Sequence, residues 1–108
     1  HLIRPMFYGA YHHIENISNP TGPKKLYSIV GYICESDTLG HDRLLNEVRE
    51  NDILAISNAG AYAYSMSNNY NARLRPAEVL LNEGKPYLIR KREELTDLIK
   101  NEIELNLF

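Results

Sequence analysis

Three clusters along this chain hold residue types able to do chemistry. In Arg4-Pro5-Met6-Phe7-Tyr8 a guanidinium and a phenol stand four positions apart. On an extended strand such positions share a face, so Arg4 and Tyr8 could offer paired N–H donors and a hydroxyl to one carboxylate. The plainer reading, which spacing alone favours, is a surface arginine beside a half-buried strand tyrosine. In Ile33-Cys34-Glu35-Ser36 a thiol stands beside a carboxylate directly after an apolar stretch. A neighbouring carboxylate raises a thiol's pKa, which suits a proton donor better than a thiolate nucleophile. The plainer alternative there is an inert, buried cysteine. The third cluster runs from Asn58 to Asn71 and is rich in small and polar side chains. Gly60 and Ala61 would admit a ligand close to the backbone, with the Tyr62 hydroxyl as its polar handle. A well-packed polar loop is the alternative.

Other polar residues carry less. His12 and His13 are adjacent, so on a strand they face opposite ways and make a poor metal pair. His41 and Asp42 stand in a loop-like stretch and read as solvated. There is no HExxH, no paired CxxC and no glycine pattern of a nucleotide-binding loop.

These clusters must be carried by a small scaffold, because 108 residues make one small domain, read here as a single domain over 1–108. Twelve Lys and Arg stand against 14 Asp and Glu, so no basic excess draws nucleic acid or an anionic membrane. No apolar stretch approaches the ~20 residues of a membrane span. Cys34 is the only cysteine, which excludes an intrachain disulfide and fits a cytoplasmic, reducing setting. The chain opens at His1 without an initiator methionine, so the natural protein is expected to extend upstream.

The apolar pattern gives a mainly β reading closed by one C-terminal helix. Strands are expected over 6–17, 26–33, 52–57, 78–81 and 86–89, with an exposed loop over 16–25. A short helical turn is expected around Leu44 and Leu45, and a hairpin connection at Asn82-Glu83-Gly84-Lys85. Leu95, Leu98, Ile99 and Ile103 recur at helical spacing behind Glu93, Glu94 and Asp97, giving a helix over 93–106.

In their order along the chain, RPMFYGAYHHI at 4–14, ICES at 33–36 and NAGAYAYSMSNNYNARLRPAEVL at 58–80 form a recognisable series. It resembles the C-terminal domain of pyridoxal-phosphate-dependent amino-acid decarboxylases, above all the diaminopimelate decarboxylases. The resemblance covers residues 3–92, and the third run is its most specific part. It implies a β-barrel or sandwich-like C-terminal domain of the alanine-racemase-like decarboxylases. The (β/α)8 barrel, which holds pyridoxal 5'-phosphate on a lysine, is absent here. It further implies a homodimer with the active site at the subunit interface, and conversion of meso-2,6-diaminopimelate to L-lysine and CO2.

Position by position, Arg4 and Tyr8 match residues that bind the unreacting end of this amino-acid substrate. Cys34 matches the catalytic proton donor, and Glu35 the group that recognises the distal ammonium. Tyr62 matches a tyrosine that contacts substrate and cofactor, its hydroxyl toward the phosphate. Glutamate rather than aspartate after the cysteine favours diaminopimelate over ornithine. Tyr32 and Asn58 depart from the family, where proline and aspartate are common. An ornithine, arginine or carboxynorspermidine decarboxylase domain stays open as an alternative, as does a non-enzymatic regulatory homologue or interaction module. Without barrel, lysine or phosphate cradle, the chain alone is expected to be inactive, and to self-associate through apolar surface the barrel would cover.

Overall fold

A computed structural model describes residues 3–32 and 38–107. Its first apolar run does not extend as one strand. Pro5 suits the first turn of a helix, and Gly9 closes that helix in the left-handed region at φ 60°. Between them Arg4–Tyr8 forms a short helix, α1, with Met6 N and Phe7 N donating to Ile3 O at 3.2 and 3.1 Å. The strand expected over 6–17 is therefore confined to β1, Ile14–Asn16. From Met6 to Tyr11 nearly every residue is apolar, so no alternation exists there to mark a strand.

Two antiparallel pairs follow. β2 (Lys24–Val30) pairs with β3 (Thr38–Asn46), and β1 pairs with β4 (Leu54–Ile56). The helical turn expected near Leu44 and Leu45 is instead part of β3. Leu44 is 61% exposed while Leu45 is 5% exposed, the opposite-face alternation of a strand. The β2–β3 register slips between Tyr27↔Arg43 and Ile29↔Gly40, which leaves an extra residue in β3, and Asp42 there has φ 50°. Such a bulge re-aims the side chains beside it. Ile17 N donating to Ile53 O at 3.1 Å and Ser57 N to His13 O at 2.8 Å extend the β1–β4 ladder at both ends. After it comes the single turn α2, Gly60–Ala63.

Ile14 and Leu45 form the buried apolar centre among the described residues. Gly40 lets β1 approach β3, since a Cβ there would stand 3.1 Å from Ile14 Cδ1. Beside this centre the buried Asn16 satisfies its whole amide. Its Nδ2 donates to Glu47 O at 3.0 Å and to Asp52 Oδ2 at 2.7 Å, while its Oδ1 accepts from Ser18 N and Asn19 N. One side chain thereby organises the loop expected over 16–25 and the approach to β4.

The chain divides into two compact units, His1–Ser67 and Asn68–Phe108. Within the second unit β5 (Glu78–Asn82) and β6 (Lys85–Arg90) form the expected hairpin, closing at Asn82↔Lys85. Glu83 and Gly84 both have positive φ, at 48° and 75°, as a type I′ turn requires. The last helix, α3, is Leu95–Ile99 rather than 93–106. Glu94 and Asp97 cap it reciprocally, but Leu95, Ile99 and Ile103 are exposed among the described residues, and an apolar stripe that buries little sustains little helix. Glu93 lies outside α3 and accepts from Arg75 N and Asn69 Nδ2, both at 2.7 Å. The architecture is mainly antiparallel β with short helices, as the apolar pattern indicates.

Candidate functional site

α1 and α2 bring two of the predicted site residues together. The Arg4 guanidinium lies over the Tyr62 ring, 4.3 Å from its centroid. Stacking occupies the flat face of the cation and leaves in-plane N–H groups able to donate. Arg4 Nε is buried and has no hydrogen-bond partner among the described residues. No carboxylate among the described residues pairs with this guanidinium. Tyr62 is 50% exposed, and a Cβ on nearby Gly60 would meet nothing within 4 Å among the described residues.

Tyr8 is the last residue of α1 and is exposed, with its ring 6.2 Å from that of Phe7. Arg4 and Tyr8 still share a face, because four residues make about one helical turn. A strand, with its period of two, would put the same two residues on one face. Cys34 and Glu35 lie outside the described residues.

The segment carrying Arg4 and Tyr8 is held at further points. Arg43, re-aimed beside the β3 bulge, stacks 4.0 Å from the centroid of Tyr11. Gly40 makes room for it, since a Cβ there would stand 2.6 Å from Arg43 Nε. A concavity of about 310 Å³ opens beside this stack, between Pro5, Met6, Tyr11, Thr38, His41 and Arg43. His12 is 3% exposed, and its Nδ1 lies 3.0 Å from Ser57 O, while exposed His13 faces away. Sequence reasoning considers His12 only as a metal ligand, and the alternation around Ile14 is the signal that marks it as buried. Among the described residues no cluster of His, Cys, Asp and Glu side chains gathers to hold a metal. No described helix is long and apolar enough to cross a membrane.

The charged groups near the ladder ends are tied into structure. Asp52 is held below its ordinary carboxylate range by the Asn16 amide first and the Arg49 N–H second. Glu47 is lowered chiefly by its hydrogen bond from Lys25, which is raised in turn by the same contact.

Residues 1–60 match the family model described as the pyridoxal-dependent decarboxylase, C-terminal sheet domain. This chain belongs to that family. The chain is 48% identical over 103 residues to diaminopimelate decarboxylase of Methanothermobacter thermautotrophicus, covering 94% of this chain and 24% of that protein. It is 44% identical over 105 residues to the enzyme of that name from Aquifex aeolicus, covering 96% of this chain and 25% of that protein. Among solved structures it is similar to diaminopimelate decarboxylase from M. jannaschii in complex with L-lysine. The TM-score is 0.87 at 48% identity, over 96% of this chain and 24% of that one. The chain thus spans about a quarter of the length of these relatives. The matched residues include Arg4, Tyr8, Cys34 and Glu35, and Tyr62 follows just beyond them.

The residues present fit a share of a pyridoxal cofactor's surroundings. The Tyr62 hydroxyl has no partner among the described residues, and a Cβ at Gly60 would touch none of them.

Proposed function

We propose that this sheet domain completes the active site of a diaminopimelate decarboxylase, which converts meso-2,6-diaminopimelate to L-lysine and CO2. The observation that carries this reading is the Arg4 guanidinium, without a carboxylate partner among the described residues, stacked on half-exposed Tyr62. High identity to relatives named diaminopimelate decarboxylase supports it, as does a similar structure that holds L-lysine.

In this reading Arg4 donates paired N–H bonds to the carboxylate at the unreacting end of the substrate, and the Tyr8 hydroxyl adds a third. Glu35 holds the distal ammonium through a charge-assisted bond, and the longer reach of glutamate over aspartate sets the length of amino acid accepted. The Cys34 thiol, protonated at neutral pH as an ordinary cysteine is, delivers a proton to the carbon that has lost CO2. The Tyr62 hydroxyl donates toward the cofactor phosphate. Pyridoxal phosphate, when bound, supplies the electron sink for decarboxylation. Its main binding groups and lysine attachment belong to the part of the protein beyond this chain. The assembly is a cytoplasmic homodimer in which Cys34 and Glu35 serve the neighbouring subunit, and the domain alone is inactive.

The test is CO2 release by the full-length protein with added cofactor, offered meso-diaminopimelate, ornithine and arginine in parallel. Turnover confined to diaminopimelate is expected. Turnover of ornithine or arginine instead would keep the decarboxylase and replace the substrate.

A further inference from the structure

We propose that His12 is a positioning residue for the Arg4–Tyr62 pair, fixing against each other the two segments that carry them. The proposal rests on the reading of Arg4 and Tyr62 as ligand-binding groups. Its geometry begins at Ser57, whose backbone is held on both sides by consecutive residues. Ser57 N donates to His13 O at 2.8 Å, and the His12 ring donates from Nδ1 to Ser57 O at 3.0 Å. The next residue, Asn58, turns the chain at φ 56°, a left-handed conformation that asparagine tolerates better than most residues. That turn leads directly into Gly60–Ala63 and so to Tyr62.

On the other side, α1 with Arg4 and Tyr8 is joined to His12 through Gly9, Ala10 and Tyr11, which lie in neither helix nor strand. The two segments therefore meet at two places, His12 and His13 on Ser57, and Arg4 on Tyr62. Only short non-repetitive stretches lie between. Any change in the angle at Ser57 is carried through the Asn58 turn to the Tyr62 ring.

The state of the imidazole supports a positional role over a packing one. His12 is 3% exposed, and its Nε2 is buried without a hydrogen-bond partner among the described residues. An unpaired buried nitrogen is unfavourable, and an apolar side chain of similar size would avoid it. What histidine adds at this position is the directed bond to Ser57 O. Arg4, Tyr8 and Tyr62 make no hydrogen bond to the ring among the described residues, so His12 acts on ligand through them and is not a catalytic residue.

The experiment uses the full-length protein with cofactor, comparing His12→Leu and His12→Asn, whose amide N–H replaces the Nδ1–H donor. His12→Leu is expected to raise the KM for diaminopimelate about tenfold with kcat within about twofold, because ligand contacts loosen while the proton donor is untouched. His12→Asn is expected to restore KM to within about threefold of the parent. An unchanged KM in His12→Leu, or an asparagine variant no better than leucine, would overturn the proposal. Should His12→Leu not fold, His12→Asn decides alone, and a tenfold rise in its KM counts against the role. Absence of turnover by the parent protein would sink the functional reading and not this one. The crystal structure of the full-length His12 variants then decides, and an Arg4–Tyr62 stack retained in His12→Leu would overturn it.

Discussion

The Arg4 guanidinium and the Tyr62 ring stack at 4.3 Å, joining the first helix of the chain to a turn near the end of the same unit. The contact does two things at once. It orients a flat cation whose in-plane donors suit a carboxylate, and it fixes a ring whose hydroxyl has no partner among the described residues.

Ring and hydroxyl of Tyr62 are therefore separable. Tyr62→Phe keeps the stack and is expected to weaken pyridoxal-phosphate affinity about tenfold, the loss of one hydrogen bond to a charged group, with substrate KM within about threefold. Tyr62→Ala removes both and should raise KM as well. Cofactor titration by absorbance and steady-state kinetics on the full-length protein check this, and equal effects of the two substitutions would contradict it.

Asn16 is expected to matter for folding and not for ligand. Asn16→Ala removes a buried amide with four hydrogen bonds and leaves Asp52 and the Ser18 and Asn19 N–H groups short of partners. A loss of about 2–3 kcal/mol is expected by denaturant titration, against less than about 1 for Asn19→Ala, whose side chain makes a single bond to Glu47 O. KM should stay unchanged in both.

Acid should weaken the first unit through Asp52. Its carboxyl is held below the ordinary value by the Asn16 amide and the Arg49 N–H, so its contribution is fully present above the unfolded pKa. That contribution fades as pH falls from about 4 through the folded pKa. Asp52→Asn should be less stable than the parent at neutral pH, with the difference shrinking as pH drops below about 4. A difference that stays constant from about pH 6 to 3 would show that Asp52 is not the acid-sensitive group.

Much of this fold is legible in the sequence, and the failures have physical causes. The hairpin at Glu83-Gly84 is marked by its turn residues, and β4 by an apolar run ending at Asn58. The stretch around α1 is apolar at almost every position, so periodicity is silent there, and Pro5 with Gly9 are the cues that count. Leu44 and Leu45 suggest a helix as neighbours, yet adjacent leucines on opposite faces belong to a strand, and only pairing with Lys25 and Leu26 reveals which. The site clusters announce themselves by residue type, but the Arg4–Tyr62 stack does not. It depends on the β1–β4 ladder bringing distant segments together, and local spacing carries no trace of that. The burial of His12 shows in the alternation around Ile14, but its bond to Ser57 O does not.

The hairpin itself gives a further check. Gly84 has φ 75°, so Gly84→Ala should destabilise the second unit by about 1–2 kcal/mol, while Glu83→Asn suits φ 48° and should stabilise it slightly. Thermal unfolding of the full-length variants measures both, and a neutral Gly84→Ala would argue against the type I′ turn.

The central claim is that Arg4 selects substrate by its distal carboxylate, and one comparison tests it most directly. The ratio of kcat/KM for meso-diaminopimelate to that for ornithine, which lacks that carboxylate, is measured for the full-length protein and for Arg4→Met. The parent should strongly favour diaminopimelate, and the substitution should reduce the ratio about 10- to 100-fold, the loss of a charge-assisted carboxylate contact, mainly through KM. A parent that does not turn over diaminopimelate, or a ratio left unchanged by Arg4→Met, would contradict the account.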